Sequence, residues 1–86
     1  MPDIEIYTQP YCPYCTRALK LLTAKGVEFR EIEAPQGSAE RKAVRERSGG
    51  KTSVPQIFID QRHIGGCDDL LALDARGELD TLLKAA

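Results

Sequence analysis

What most narrows the fold of this chain is a close pair of thiols, Cys12 and Cys15, set at the joint between a strand pattern and a helix pattern. Ile4, Ile6 and Thr8 alternate with Glu5 and Tyr7, the period of a strand, and Gln9 to Cys12 follows as a loop. Pro13 suits the first turn of a helix, where no amide donor is needed. Ala18, Leu19 and Leu22 carry that helix on to Lys25, and Gly26 stops it. Thiols this close together cannot staple distant parts of a chain, and a third, Cys67, makes the count odd. The cysteines therefore do not read as a disulfide framework. An 86-residue chain of this kind has to be held by one compact core, so a single domain over residues 1–86 is expected.

The remaining pattern alternates again. Val27 to Glu33 reads as a second strand through Val27, Phe29 and Ile32, and Ala34-Pro35-Gln36-Gly37 breaks it. Ser38 is placed to cap a charged helix over Ala39 to Arg47, which Gly49-Gly50 ends. Val54 to Ile59 is a third strand that begins at a proline, a position where a missing amide proton is tolerated. Asp60-Gln61-Arg62 turns the chain back through His63-Ile64. Gly65-Gly66 then leads to a leucine-rich helix begun by Cys67, Asp68 and Asp69 and interrupted at Gly77. Strands alternating with helices give an α/β domain with a small mixed sheet and helices on both faces.

Composition narrows the function. Twelve Lys and Arg against thirteen Asp and Glu leave a net charge of -1, which offers no basic field to a nucleic acid. The first residues carry neither a basic n-region nor an apolar h-region, and no apolar run approaches the roughly 20 residues that span a bilayer. A cytoplasmic protein is the expectation. In a reducing compartment a close thiol pair is redox-active or metal-binding more often than structural.

Three places carry chemistry. The first is Cys12-Pro13-Tyr14-Cys15, since unpaired amides and the dipole at a helix start hold the negative charge that thiol–disulfide exchange needs. Cys12 is placed to be the nucleophile, and Cys15, one turn in and more buried, to resolve a mixed disulfide. The second is Ser53-Val54-Pro55 at a strand start, a weak signal alone. The third is Gly65-Gly66 before Cys67-Asp68-Asp69, where glycines admit a close approach and a new helix offers amides to a carboxylate; a plain turn and cap is the competing reading. A zinc site from Cys12, Cys15, His63 and Cys67 lacks a second tight ligand pair, so no metal is expected.

Taken together these segments resemble the glutaredoxins of the thioredoxin fold, nearest to the small bacterial dithiol members, and the likeness covers nearly the whole chain. Trp is absent and the thiols enclose Pro-Tyr rather than Gly-Pro, which separates the chain from thioredoxin itself. The resemblance implies a four-stranded mixed sheet and a glutathione-dependent disulfide oxidoreductase. It implies that Pro55 is cis, that Val54 pairs with the cysteine of glutathione and that Tyr14 flanks it. It assigns the glutamyl end to Gly66, Cys67 and Asp68, with Asp69 beside them. Glutathione is then the reducing co-substrate, glutathionylated or disulfide-bonded proteins are the partners, glutathione reductase acts indirectly, and the protein works as a monomer. Glutaredoxins lie at about −200 to −230 mV, so electrons can follow the glutathione pool in either direction.

Two departures stand out. Gln9 occupies a place where many relatives have lysine, leaving Gln56, Arg41, Lys51 or Arg17 to supply what is lost, and Ser53 stands for the usual threonine. Cys67 is read first as a packing residue and second as an oxidisable thiol. His63 is read as a surface strand residue, and Tyr7, Tyr11 and Phe58 as core or rim aromatics. Two rivals share the outline: an enzyme fed by a thioredoxin reductase, and a scaffold for an iron–sulfur cluster, which the rigid ring of Pro13 disfavours.

Overall fold

A computed structural model describes residues 2–84; Met1, Ala85 and Ala86, at the ends of the expected domain, lie outside the described residues. The elements are β1 (Ile4–Thr8), α1 (Pro13–Ala24), β2 (Arg30–Glu33), α2 (Ala39–Arg47), β3 (Gln56–Ile59), β4 (Arg62–Gly65), α3 (Cys67–Ala75) and α4 (Glu78–Lys84). The strands form one sheet in the order β2-β1-β3-β4. β2 runs parallel to β1, while β3 is antiparallel to both β1 and β4.

The sheet sorts the apolar residues by parity. Ile4, Ile6, Ile57 and Ile59 face α1, α3 and α4 and bury Ala18, Leu22, Leu70, Leu79 and Leu83. Tyr7 and Phe58 face α2 and bury Ala34 and Val44. The helices therefore cover both faces, as the pattern predicts. Each wholly buried leucine or isoleucine contributes about 2 kcal/mol from the water its surface leaves.

Two strand starts and the hairpin turn differ from the reading of the sequence. β1 spans the expected residues, and all five are buried, because the strand is central and covered on both sides. β2 starts at Arg30 rather than Val27. Its pairing with β1 begins at Glu5 and Arg30, and Val27 and Phe29 pack against the core without joining the ladder. β3 starts at Gln56 rather than Val54, since Pro55 has no amide proton for β1 and the register ends at Tyr7 opposite Gln56. The hairpin turn is tighter than expected: Asp60 and Gln61, at φ 50° and 70°, make a two-residue turn and Arg62 already belongs to β4.

Glu5 is the charged exception in this core. It sits on the α2 side with its side chain 7% exposed, and Arg47 of α2 donates to its carboxylate from both terminal nitrogens at 3.0 and 3.2 Å. The same guanidinium donates to the Tyr7 hydroxyl at 2.7 Å and lies 4.1 Å from the Phe58 ring centroid. Bidentate pairing and stacking together make a buried carboxylate tolerable at this face.

Candidate active site

The end of β1 and the start of α1 present the thiols. Tyr11 has a left-handed backbone, φ 59°, which turns the chain sharply so that Cys12 becomes the N-cap of α1. The Cys12 sulfur accepts the amide of Cys15 at 3.3 Å, the bond a capping side chain makes to a free helix-end donor. Pro13 in the first turn has no amide to leave unpaired there. Across the cleft, the Cys12 thiol lies 3.9 Å from the Val54 carbonyl, the bond it donates when protonated.

Cys15 is 2% exposed, whereas Cys12 is only partly buried. Burial above all, then its hydrogen bond with Cys12, pushes the Cys15 thiol from 9.0 up to about 12. One sulfur is thus open and aimed by a helix, while the other is covered and keeps its proton. A stability effect follows with a definite sign. Between pH 9 and about 12 the unfolded chain releases this proton and the folded chain holds it, so folding weakens as pH rises across that window. Urea midpoints of the reduced protein below and above pH 9 should show a steeper loss in wild type than in Cys15→Ala; equal slopes would contradict the shift.

Beside Cys12 lies a groove of about 310 Å³ lined by Tyr14, Lys51, Ser53, Val54, Pro55, Gln56, Gly66, Cys67, Asp68 and Asp69. Every residue that the resemblance assigns to glutathione is among them. The Val54–Pro55 peptide is cis. Gln56, 3% exposed, anchors this wall: its amide nitrogen donates to the Ser53 carbonyl at 3.1 Å, and its oxygen meets His63 Nε2 at 2.6 Å. That pairing puts the ring proton on Nε2. Burial lowers the His63 pKa against the pull of Asp69, so the neutral ring is favoured. His63 is therefore half-buried behind the groove rather than on the surface, a link that no spacing in the sequence signals.

At the far wall the glycines act differently from the expectation. A Cβ on Gly65 (φ 126°) would fall 2.2 Å from Asp69 Oδ2, and one on Gly66 would fall 3.2 Å from the Pro55 carbonyl. The close approach they allow is made by the protein's own groups. Asp69 accepts the Gly66 amide at 3.0 Å and so closes the start of α3, leaving the Asp68 carboxylate as the exposed one without that duty. The next amides, of Cys67 and Asp68, belong to the unpaired first turn. Cys67 is 4% exposed, and burial raises its thiol pKa, which fits packing better than reactivity.

Arg41 is the one of the four proposed substitutes that touches Gln9. Its Nη1 donates to Gln9 Oε1 at 2.9 Å and to the Ala34 carbonyl at 2.9 Å, and its Nη2 donates to the Thr52 carbonyl at 2.9 Å. Roomier depressions of about 480 Å³ at the start of α2 and about 550 Å³ near Phe29 hold no cysteine, so size does not mark the site. Among the described residues no three His, Cys, Asp or Glu side chains gather as a metal would require, and no helix is long and apolar enough to cross a membrane.

The glutaredoxin family profile matches residues 4–64. Glutaredoxin 3 of Escherichia coli (strain K12) is 60% identical over 84 residues, covering 98% of this chain and 100% of the relative. A solution structure of glutaredoxin from Brucella melitensis is 55% identical with a TM-score of 0.81, over 95% of this chain and 88% of that one. A crystal structure of a buckwheat glutaredoxin–glutathione complex is 33% identical with a TM-score of 0.84, over 95% and 76%. Likeness of this degree along nearly the whole chain, on a fold that carries its thiol pair at a helix start, places the protein in the glutaredoxin family of thiol–disulfide oxidoreductases.

Proposed function

We propose that the protein reduces glutathione mixed disulfides and protein disulfides through Cys12 and Cys15, with glutathione as the electron donor. The observation that carries this reading is the groove that lies beside Cys12 and unites Tyr14, Val54, Pro55, Gly66, Cys67, Asp68 and Asp69. The buckwheat relative of the same fold is a glutathione complex, which supports the choice of ligand.

In the first route the Cys12 thiolate attacks the glutathione sulfur of a mixed disulfide. A Cys12–glutathione disulfide forms, and the target leaves as a thiolate that takes a proton from water. A second glutathione thiolate attacks that adduct, giving oxidised glutathione and free Cys12; glutathione reductase restores the pool with NADPH. In the second route Cys12 opens a protein disulfide, and Cys15 attacks the Cys12 sulfur to release the protein. The resulting Cys12–Cys15 disulfide takes two electrons from two glutathiones. Once the Cys12 sulfur is bonded, its charge and its hydrogen bond no longer hold the Cys15 proton, leaving burial and the Glu31 charge as the remaining brakes. The resolving thiol is thereby released at the step that needs it.

In the groove, the Val54 backbone pairs with the cysteine of glutathione and Tyr14 flanks it. The free amides at the start of α3 receive the α-carboxylate and Asp68 the α-amino group, since Asp69 is held by Gly66. Arg41, tied to Gln9, brings back the positive charge that a lysine there would carry. We take residues 1–86 as one such domain, acting as a monomer without a metal in a reducing compartment such as the cytoplasm.

The test is NADPH consumption with glutathione, glutathione reductase and either a glutathionylated peptide or a disulfide-bonded protein. Wild type should turn over both, and Cys15→Ser should keep the first while losing most of the second. Activity only with a thioredoxin reductase would overturn the proposal.

A further inference from the structure

Among the described residues, two large hydrophobic side chains stand exposed, Tyr11 and Tyr14, and they lie on either side of Cys12 in the chain. Their surroundings differ. Tyr14 is 55% exposed, lines the groove and has the Arg17 guanidinium 5.8 Å from its ring. Tyr11 is wholly exposed, lies outside the groove and holds a left-handed backbone that bulky residues rarely adopt. Packing within the monomer does not account for a tyrosine kept there.

The reaction accounts for it. If glutathione fills the groove, as proposed above, the other half of a mixed disulfide has to sit outside it. A disulfide is about 2.05 Å long, so the target cysteine and its sequence neighbours must come to the rim around Cys12. The residue next to Cys12 on the groove-free side is Tyr11. Apart from the reacting sulfur of Cys12, the stretch Pro10 to Tyr14 carries no charged side chain, so this rim offers a target apolar surface rather than an ion pair. A tyrosine ring adds a large contact at a small loss of rotamer freedom.

We infer that Tyr11 docks the protein half of the substrate and favours target cysteines flanked by an apolar, above all aromatic, side chain. The inference rests on the glutathione reading of the groove. The step it serves is the first exchange: Cys12 bonds to the glutathione sulfur, the peptide–glutathione bond breaks, and the peptide thiolate departs past Tyr11.

The experiment compares two glutathionylated peptides that differ only in the residue beside the modified cysteine, phenylalanine or serine, in the coupled assay. Wild type should favour the phenylalanine peptide in kcat/KM by about three- to tenfold, the scale of one aromatic contact. Tyr11→Ala should bring the ratio near one, and Tyr11→Phe should restore it. An equal ratio in wild type, or one unchanged in Tyr11→Ala, overturns the inference while leaving the glutathione cycle in place. Failure of wild type on both peptides would instead overturn the reading of the groove.

Discussion

Cys12→Ser is expected to abolish turnover of glutathionylated peptides and of protein disulfides alike, by about a thousandfold or more, as loss of an acting nucleophile does. A serine hydroxyl is not ionised near neutral pH and cannot take the place of sulfur in disulfide exchange. The other two thiols cannot stand in. Cys15 is 2% exposed with its proton held to about 12, and Cys67 is 4% exposed with its pKa raised by burial. The fold should survive, because the Cys12 side chain is only partly buried and its hydrogen bonds, with the Cys15 amide and thiol and the Val54 carbonyl, are of a kind a hydroxyl also makes. The coupled assay on folded Cys12→Ser, verified by circular dichroism, checks this. Residual activity above a tenth of wild type would mean that another thiol initiates.

Gly65→Ala should be the most damaging single methyl near the site. The new carbon would lie 2.2 Å from Asp69 Oδ2 at a backbone φ of 126°, so both the left-handed conformation and the Asp69–Gly66 bond are put at risk. A lost cap costs about 1 kcal/mol and a strained φ about 1–3 kcal/mol, for a total of about 2–4 kcal/mol. The start of α3 should move with them, so KM for the glutathionylated peptide should rise about tenfold, the effect of about 1.4 kcal/mol in binding. Gly77→Ala is the companion variant. It has φ 75° but nothing within 4 Å of the added carbon, so it should show the strain alone and leave KM unchanged. Urea unfolding and KM for both variants decide the matter; equal damage would show that the Asp69 contact carries no weight.

The contrast between these glycines shows what the sequence reveals and what it conceals. Elements with their own punctuation were legible: α1 between Pro13 and Gly26, α2 behind Ser38, and a hairpin after Ile59, though Arg62 belongs to its second strand and not to its turn. Strand starts after β1 were not, because the ladder partner decides where a strand begins. Val27 and Phe29 are apolar for the core yet lie before the pairing at Arg30. The burial of Glu5 was hidden for a similar reason, since only α2 folding back brings Arg47 to it across 42 positions. At the site, the thiol pair announced itself through chemistry at a helix start. The role of Arg41 depends on a 2.9 Å bond to Gln9 across 32 positions, and those of Gln56 and His63 on side-chain contacts of 2.6 and 3.1 Å around the turn and hairpin, none of which a residue pattern encodes. The resemblance to glutaredoxins had already named seven of the ten groove residues, but it gave no reason to tell Asp69, which closes the helix, from Asp68, which does not.

The central claim is that glutathione is bound covalently at Cys12 and held by the groove beside it. The direct measurement is to mix reduced Cys15→Ser with oxidised glutathione, map the adduct by peptide mass spectrometry and follow the amides of the groove by NMR. One glutathione disulfide-bonded to Cys12, with shifts at Tyr14, Val54, Gly66, Cys67 and Asp68, is the predicted result. An adduct on Cys67 instead, or none at all, would contradict the account.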